Sequence, residues 1–127
     1  MISKPVREKN WLKEHPSNHQ KITGDEAERR LKEKGGHCYL TRFSKFHDCY
    51  ILSVYKKQHP DDVFEHFKII VKNGKKSIDG LDREFDDIHS LLGHYEHQRI
   101  DAGLKSIGKA YTEDDYAKEQ DKKCTIL

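Results

Sequence analysis

No stretch of about 18 apolar residues occurs in the chain, so no transmembrane helix is expected. The opening residues, Met1-Ile2-Ser3-Lys4-Pro5-Val6-Arg7, lack the apolar centre of a secretory signal. Cysteine is scarce and odd in number, three in 127 residues. With no signal in view, that count suits reduced thiols, and Cys38 and Cys49 are expected to pack as small apolar residues. A surplus of one charge is also missing: 24 basic and 22 acidic residues leave a net charge of +2. The basic residues are spread over both ends and the middle, whereas nucleic-acid binding needs a concentrated basic surface, so no nucleic-acid partner is expected. Hydrophobic residues are only 34% against 36% charged, which describes one wet domain with a single modest core.

Catalytic inventory is missing as well. There is no Gly-rich phosphate loop, no His-Glu-x-x-His and no nucleophile elbow. Cys38 lies four residues before Arg42, too close for the cysteine–arginine spacing of a phosphatase, and its strand context buries the thiol. Among the nine histidines, His89, His94 and His97 are spaced by five and three. No cysteine or carboxylate completes a zinc set with them. A non-enzyme without cofactor or metal is expected.

Residues 1–16 form a basic N-terminal extension with Pro5 and Pro16, able to pack through Trp11 and Leu12. Thr23-Gly24-Asp25-Glu26 has the spacing of a capping box, Ala27, Arg30 and Leu31 continue the helix, and Gly35-Gly36 stops it. Strands are predicted over 37–43, 49–57, 63–72 and 75–78. His59-Pro60-Asp61-Asp62 makes one turn, and Asn73-Gly74 suits a type I′ hairpin. A second helix is predicted over 85–96, capped by Asp82 or Asp86, with Phe85, Ile88, Leu91, Leu92 and Tyr95 as its apolar stripe. The domain is expected to span 17–110. Residues 111–127 are charged, lack a core pattern and are expected to be flexible.

The most informative stretch is Gly36-His37-Cys38-Tyr39-Leu40-Thr41-Arg42-Phe43-Ser44-Lys45. Along a strand, Cys38, Leu40 and Arg42 share one face. A strand that points an arginine inward must offer it an anion. Ser44 and Lys45 then open the short polar loop Lys45-Phe46-His47-Asp48.

This segment resembles the central strand of the Src-homology-2 (SH2) family, Gly-x-Phe-Leu-Val-Arg-x-Ser. Other blocks resemble the same family in the same order. They are Lys21–Leu31 at the first helix, Tyr50–Val54 and Phe64–Ile69 in the following strands, Phe85–Tyr95 at the second helix, and Gly103-Leu104 near the close. The resemblance implies an α+β fold, a central antiparallel sheet flanked by two helices, that binds phosphotyrosine. It implies that the Arg42 guanidinium grips two phosphate oxygens, a fork that lysine cannot copy. It further implies that Ser44 donates a hydroxyl, Lys45 donates from the loop, His66 braces the pocket, and Lys68 lies along the phenol ring. Phe67 is implied to line the path of the residues after the phosphotyrosine. Two departures stand out. Ser17-Asn18-His19-Gln20 replaces the usual Trp-(Phe/Tyr)-His-Gly, with Trp11 upstream to fill the space. Gly24 replaces an arginine that in the family touches phosphate and ring. A degenerate domain that binds protein without phosphate, or an acidic-lipid reader using the same cup, stays open as an alternative.

The last four residues, Cys124-Thr125-Ile126-Leu127, fit the C-a-a-X prenylation rule, and leucine at the end points to a geranylgeranyl group on Cys124. Lys118, Lys122 and Lys123 lie just upstream and would add attraction to an anionic membrane face. The expectation is a monomeric cytoplasmic protein that meets tyrosine-phosphorylated proteins and attaches to membrane through prenylated Cys124. It would be either a eukaryotic adaptor or a bacterial effector working in a host cytoplasm.

Overall fold

A computed structural model describes residues 11–126, with side chains over 11–122. The chain order is α1 (Gly24–Lys34), β1 (His37–Ser44), β2 (Cys49–Lys56), β3 (Val63–Lys72), β4 (Lys75–Ile78), β5 (Glu84–Phe85), α2 (Ile88–His97), β6 (Lys109–Ala110) and α3 (Glu113–Ile126). The six strands form one sheet in the order β5-β4-β3-β2-β1-β6. All neighbours are antiparallel except β6, which runs parallel to β1.

The sheet is covered on both faces, which explains why β1 and β2 are buried almost throughout instead of alternating. On one face Cys38, Leu40 and Tyr55 meet Ala27 and Leu31 of α1. On the other, Tyr39, Leu52, Val54 and Ile69 meet Ile88, Leu91, Leu92 and Tyr95 of α2. Leu12 is fully buried in that second cluster, and the Trp11 ring stands edge-on to Tyr50 at 5.2 Å. These two residues fill the space expected of them. Ser17, Asn18 and His19 are buried although polar, and the chain satisfies them. Ser17 Oγ bonds Thr41 Oγ1 at 3.0 Å, and Asn18 Nδ2 donates to the Leu12 and Lys13 carbonyls.

The first helix begins as predicted, with the Thr23 hydroxyl accepting from Glu26 N and Gly35 closing the far end. Asn73 and Gly74 both have positive φ, as the type I′ hairpin requires. The second helix differs. It starts at Ile88 under an Asp87 cap, whose carboxylate accepts from Ser90 N at 2.8 Å. Phe85 is not helical: it pairs with Lys76 as an edge strand. An aromatic three residues before a helical stripe fits the helical period, but strand pairing wins here. Cys38 and Cys49 are both free. They lie at opposite ends of the β1–β2 ladder, opposite Tyr55 and Ser44 respectively.

The larger correction concerns the tail. Residues expected to be flexible form α3, and the chain leading into it is anchored. Tyr111 is 1% exposed, in the α1-side core. The Tyr116 ring lies 3.9 Å beneath the Arg30 guanidinium. Thr112 caps the helix by accepting from Asp115 N, and Glu113, Asp114 and Asp115 suit the positive helix start. That capping pattern was present in the sequence, but only two aromatic residues supply the apolar contact, too few to make a helical stripe.

Candidate functional site

Arg42 lies on the α1 side of β1 and is only 7% exposed. Its Nε donates to Ser53 Oγ at 3.0 Å, Nη1 to the Ile22 carbonyl at 3.4 Å, and Nη2 to His66 Nδ1 at 3.4 Å. Three of five guanidinium hydrogens are thereby used, leaving one on each terminal nitrogen. The ring partners then follow. Ser53 Oγ accepts from Arg42 and donates to His66 Nδ1 at 2.8 Å, and His66 Nε2 donates to Glu28 at 2.7 Å. The neutral tautomer with hydrogen on Nε2 satisfies every one of these contacts. Glu28, His66 and Ser53 thus form a relay across three elements that holds the guanidinium in one orientation.

Beside Arg42 opens a cleft of about 380 Å³, lined by Lys21, Ile22, Thr23 and Gly24 before and at the start of α1, and by Phe43, Ser44, Lys45, Phe46 and His47 across from them. No carboxylate lines it, and no ion pair to Arg42 forms among the described residues. Burial lowers the Arg42 guanidinium from its ordinary value, with Cys49 and Glu28 opposing the shift. A charge held out of water without an ionic partner gains strongly from an incoming anion. The loop is tightened by Ser44 Oγ, which accepts from His47 N at 3.1 Å. A Cβ on Gly24 would sit 3.4 Å from Arg42 Nη2, so this helix start reaches the cup closely and bare. A larger groove of about 900 Å³, between Lys34, His37, Glu96 and Lys109, lies at the far end of β1 and holds no comparable buried charge.

Of the residues singled out in the sequence, Arg42, Ser44 and Lys45 come together in the cleft. His66 borders it through Arg42. Lys68 is in register with Ile51, which is in register with Arg42, so it shares their face, but it lies outside the lining. Phe67 faces the other way, half-buried against the α2-side core. Cys124 falls in the last turns of α3, where side chains are outside the described residues. Lys21, Glu28, Ser53 and Phe46 were not singled out. Ser53 carried a signal: it is the one small polar side chain inside the apolar run Tyr50–Tyr55. Glu28 had none, because its role appears only when α1 lies against β3.

A sheet sandwiched between two helices, with a buried and unpaired guanidinium at a cleft, defines an anion-recognition module. The description of the SH2 domain family matches residues 18–95, more than half of the chain, and the chain belongs to that family. SH2 domains are binding modules, generally non-catalytic, and membership supports phosphotyrosine-peptide binding in general. A comparison with curated proteins gave no match.

Proposed function

We propose that this protein binds phosphotyrosine peptides through the Arg42 cleft and acts as a small non-enzymatic recruiter, or competitor, at phosphotyrosine sites. The observation that carries this is the pair of unused Arg42 hydrogens, desolvated, free of any ion pair and facing a cleft without carboxylates. A phosphotyrosine dianion supplies the charge and the oxygens that such a fork lacks. Ser44 and Lys45 provide further donors at the rim, and Lys21 adds positive charge. Calorimetry with a phosphotyrosine peptide and its unphosphorylated twin tests this. The phosphorylated form alone should bind, and Arg42→Ala should abolish binding while the protein stays folded. Equal binding of both peptides would sink the proposal.

Membrane attachment through Cys124 belongs to the same proposal. Its support is the Cys124-Thr125-Ile126-Leu127 pattern behind Lys122 and Lys123. A single prenyl chain holds a protein reversibly, so captured phosphoproteins or anionic lipid would complete the hold.

A further inference from the structure

We infer that Phe46 is the aromatic wall of the cleft, the residue that makes it favour aryl phosphates over alkyl phosphates. The inference rests on phosphotyrosine binding at Arg42 and names the contact that would select for the ring.

Phe46 is 91% exposed, and no other large hydrophobic residue is exposed among the described residues. It does not sit on a random surface. It occupies the middle of the four-residue loop that lines the Arg42 cleft. The loop is held from beneath: Ser44 Oγ accepts from His47 N, and the His47 ring stands against Phe46 at 4.9 Å and 82°. The phenyl ring therefore has one ring neighbour, His47, and is otherwise open to solvent where it lines the cleft. Across the mouth, the helix start presents Gly24, which has no side chain to flank a ligand. Gly24, Arg42 and Phe46 line one cleft, so the ester substituent of a phosphate held by the two free Arg42 hydrogens would lie between the helix start and the loop. An aryl substituent at that level meets Phe46 and gains an aromatic pair together with burial of both rings. A methyl ester gains neither.

Calorimetry separates ring contact from phosphate contact. The ligands are phenyl phosphate, methyl phosphate and inorganic phosphate, and the proteins are wild type, Phe46→Ala and Phe46→Trp. Because Phe46 is exposed, both variants should keep the wild-type melting temperature. Phe46→Ala is expected to weaken phenyl phosphate roughly fivefold, the scale of an aromatic pair, and to leave the other two ligands unchanged. Phe46→Trp should retain the preference for the aryl ester. Equal loss for all three ligands in Phe46→Ala would show that the residue only shapes the loop, and would overturn the inference. So would an unchanged preference for phenyl phosphate. Vesicles of phosphatidylcholine and phosphatidylserine are the last arm. Binding to them that needs Phe46, with phenyl phosphate unaffected, would make the residue a membrane wedge and overturn it too. If wild type shows no affinity for any of the three phosphates, phosphotyrosine binding itself falls and this inference with it. Loss confined to the Phe46 preference leaves that function standing.

Discussion

At the scale of the residue, the cleft depends on how Arg42 is held rather than on its presence alone. Its Nε is tied to Ser53, Ser53 is tied in turn to His66, and His66 to Glu28. Arg42→Lys keeps the charge but loses both this tether and the fork, and should cost about 2 kcal/mol of phosphopeptide affinity by calorimetry. Ser53 is fully buried. Ser53→Ala leaves Arg42 Nε without its partner and His66 Nδ1 with only the longer contact to Arg42 Nη2, so urea unfolding should show a loss of about 1–3 kcal/mol, with weaker phosphopeptide binding alongside. Unaltered affinity in Ser53→Ala would mean that the guanidinium needs no relay. Arg42 itself was legible, because an arginine at the inward position after Cys38 and Leu40 breaks the apolar pattern of its strand. Ser44 and Lys45 were legible for the same local reason, since they follow it into the loop. Glu28 was not, because it does not depart from what a helix surface usually carries; nor was Phe46, because only the fold shows that it stays exposed beside the cleft.

At the scale of the element, α3 turns a presumed tail into part of the body. Tyr111 N donates to the Tyr39 carbonyl, and Tyr111 OH reaches Glu119 at 3.1 Å. Tyr111→Ala removes a fully buried ring and should lower stability by about 3 kcal/mol in urea unfolding. Beneath this helix lies His19, whose Nε2 donates to the Tyr111 carbonyl at 2.8 Å while Nδ1 accepts from Arg30 at 2.9 Å. The second contact requires the neutral ring, because a protonated Nδ1 cannot accept. Burial lowers the His19 pKa, and the nearby Arg30 lowers it further, against opposing effects of the Tyr111 carbonyl and Glu113. A histidine whose folded pKa lies below its unfolded value of about 6.5 binds more protons when unfolded. Its contribution is therefore full at neutral pH, falls as pH drops through about 6.5, and levels off below the folded pKa. His15, His37 and His94 shift the same way through burial. Stability measured between pH 7.5 and 5 should decline, and His19→Gln should flatten part of that slope without abolishing it. A profile of the same steepness in His19→Gln would remove His19 from the account.

At the scale of the whole molecule, the two ends of α1 face different tasks. Its first residue, Gly24, borders the Arg42 cup. α3 runs beside α1 in the same direction: Tyr116 meets Arg29 and Arg30, and three residues on Glu119 meets Lys34. The C-terminal turns of α3 therefore lead away from the cup, continuing about 1.5 Å per residue beyond the end of α1. A lipid on Cys124 would place the membrane at the pole opposite the binding cleft, with the cleft facing the cytosol and with less freedom than a flexible tether allows. In eukaryotic cells the wild type should partition to membranes while Cys124→Ser stays soluble. Identical distribution, with no prenyl mass on the C-terminal peptide, would leave Cys124 unmodified. Proline at Lys118, in the middle of α3, should loosen this orientation without changing phosphopeptide affinity in solution.

Local chemistry was enough to place β1 to β4, the α1 cap, the Asn73-Gly74 hairpin and the inward Arg42, because each depends on neighbours within a few positions; the two-residue strands β5 and β6 were not placed. Ordered blocks along the chain were enough for the family and hence for the sheet between two helices. Contacts between distant segments settled the rest. Phe85 left its helical stripe because β4 offered it a partner. Residues 113–126 became a docked helix because Tyr111 and Tyr116 found α1, a contact of two aromatic side chains that no periodicity announces. The orientation of Arg42 came from a serine, a histidine and a glutamate on three different elements. Local sequence sets what a segment prefers; whether a few side chains make that preference stable depends on which surface the fold lays against them.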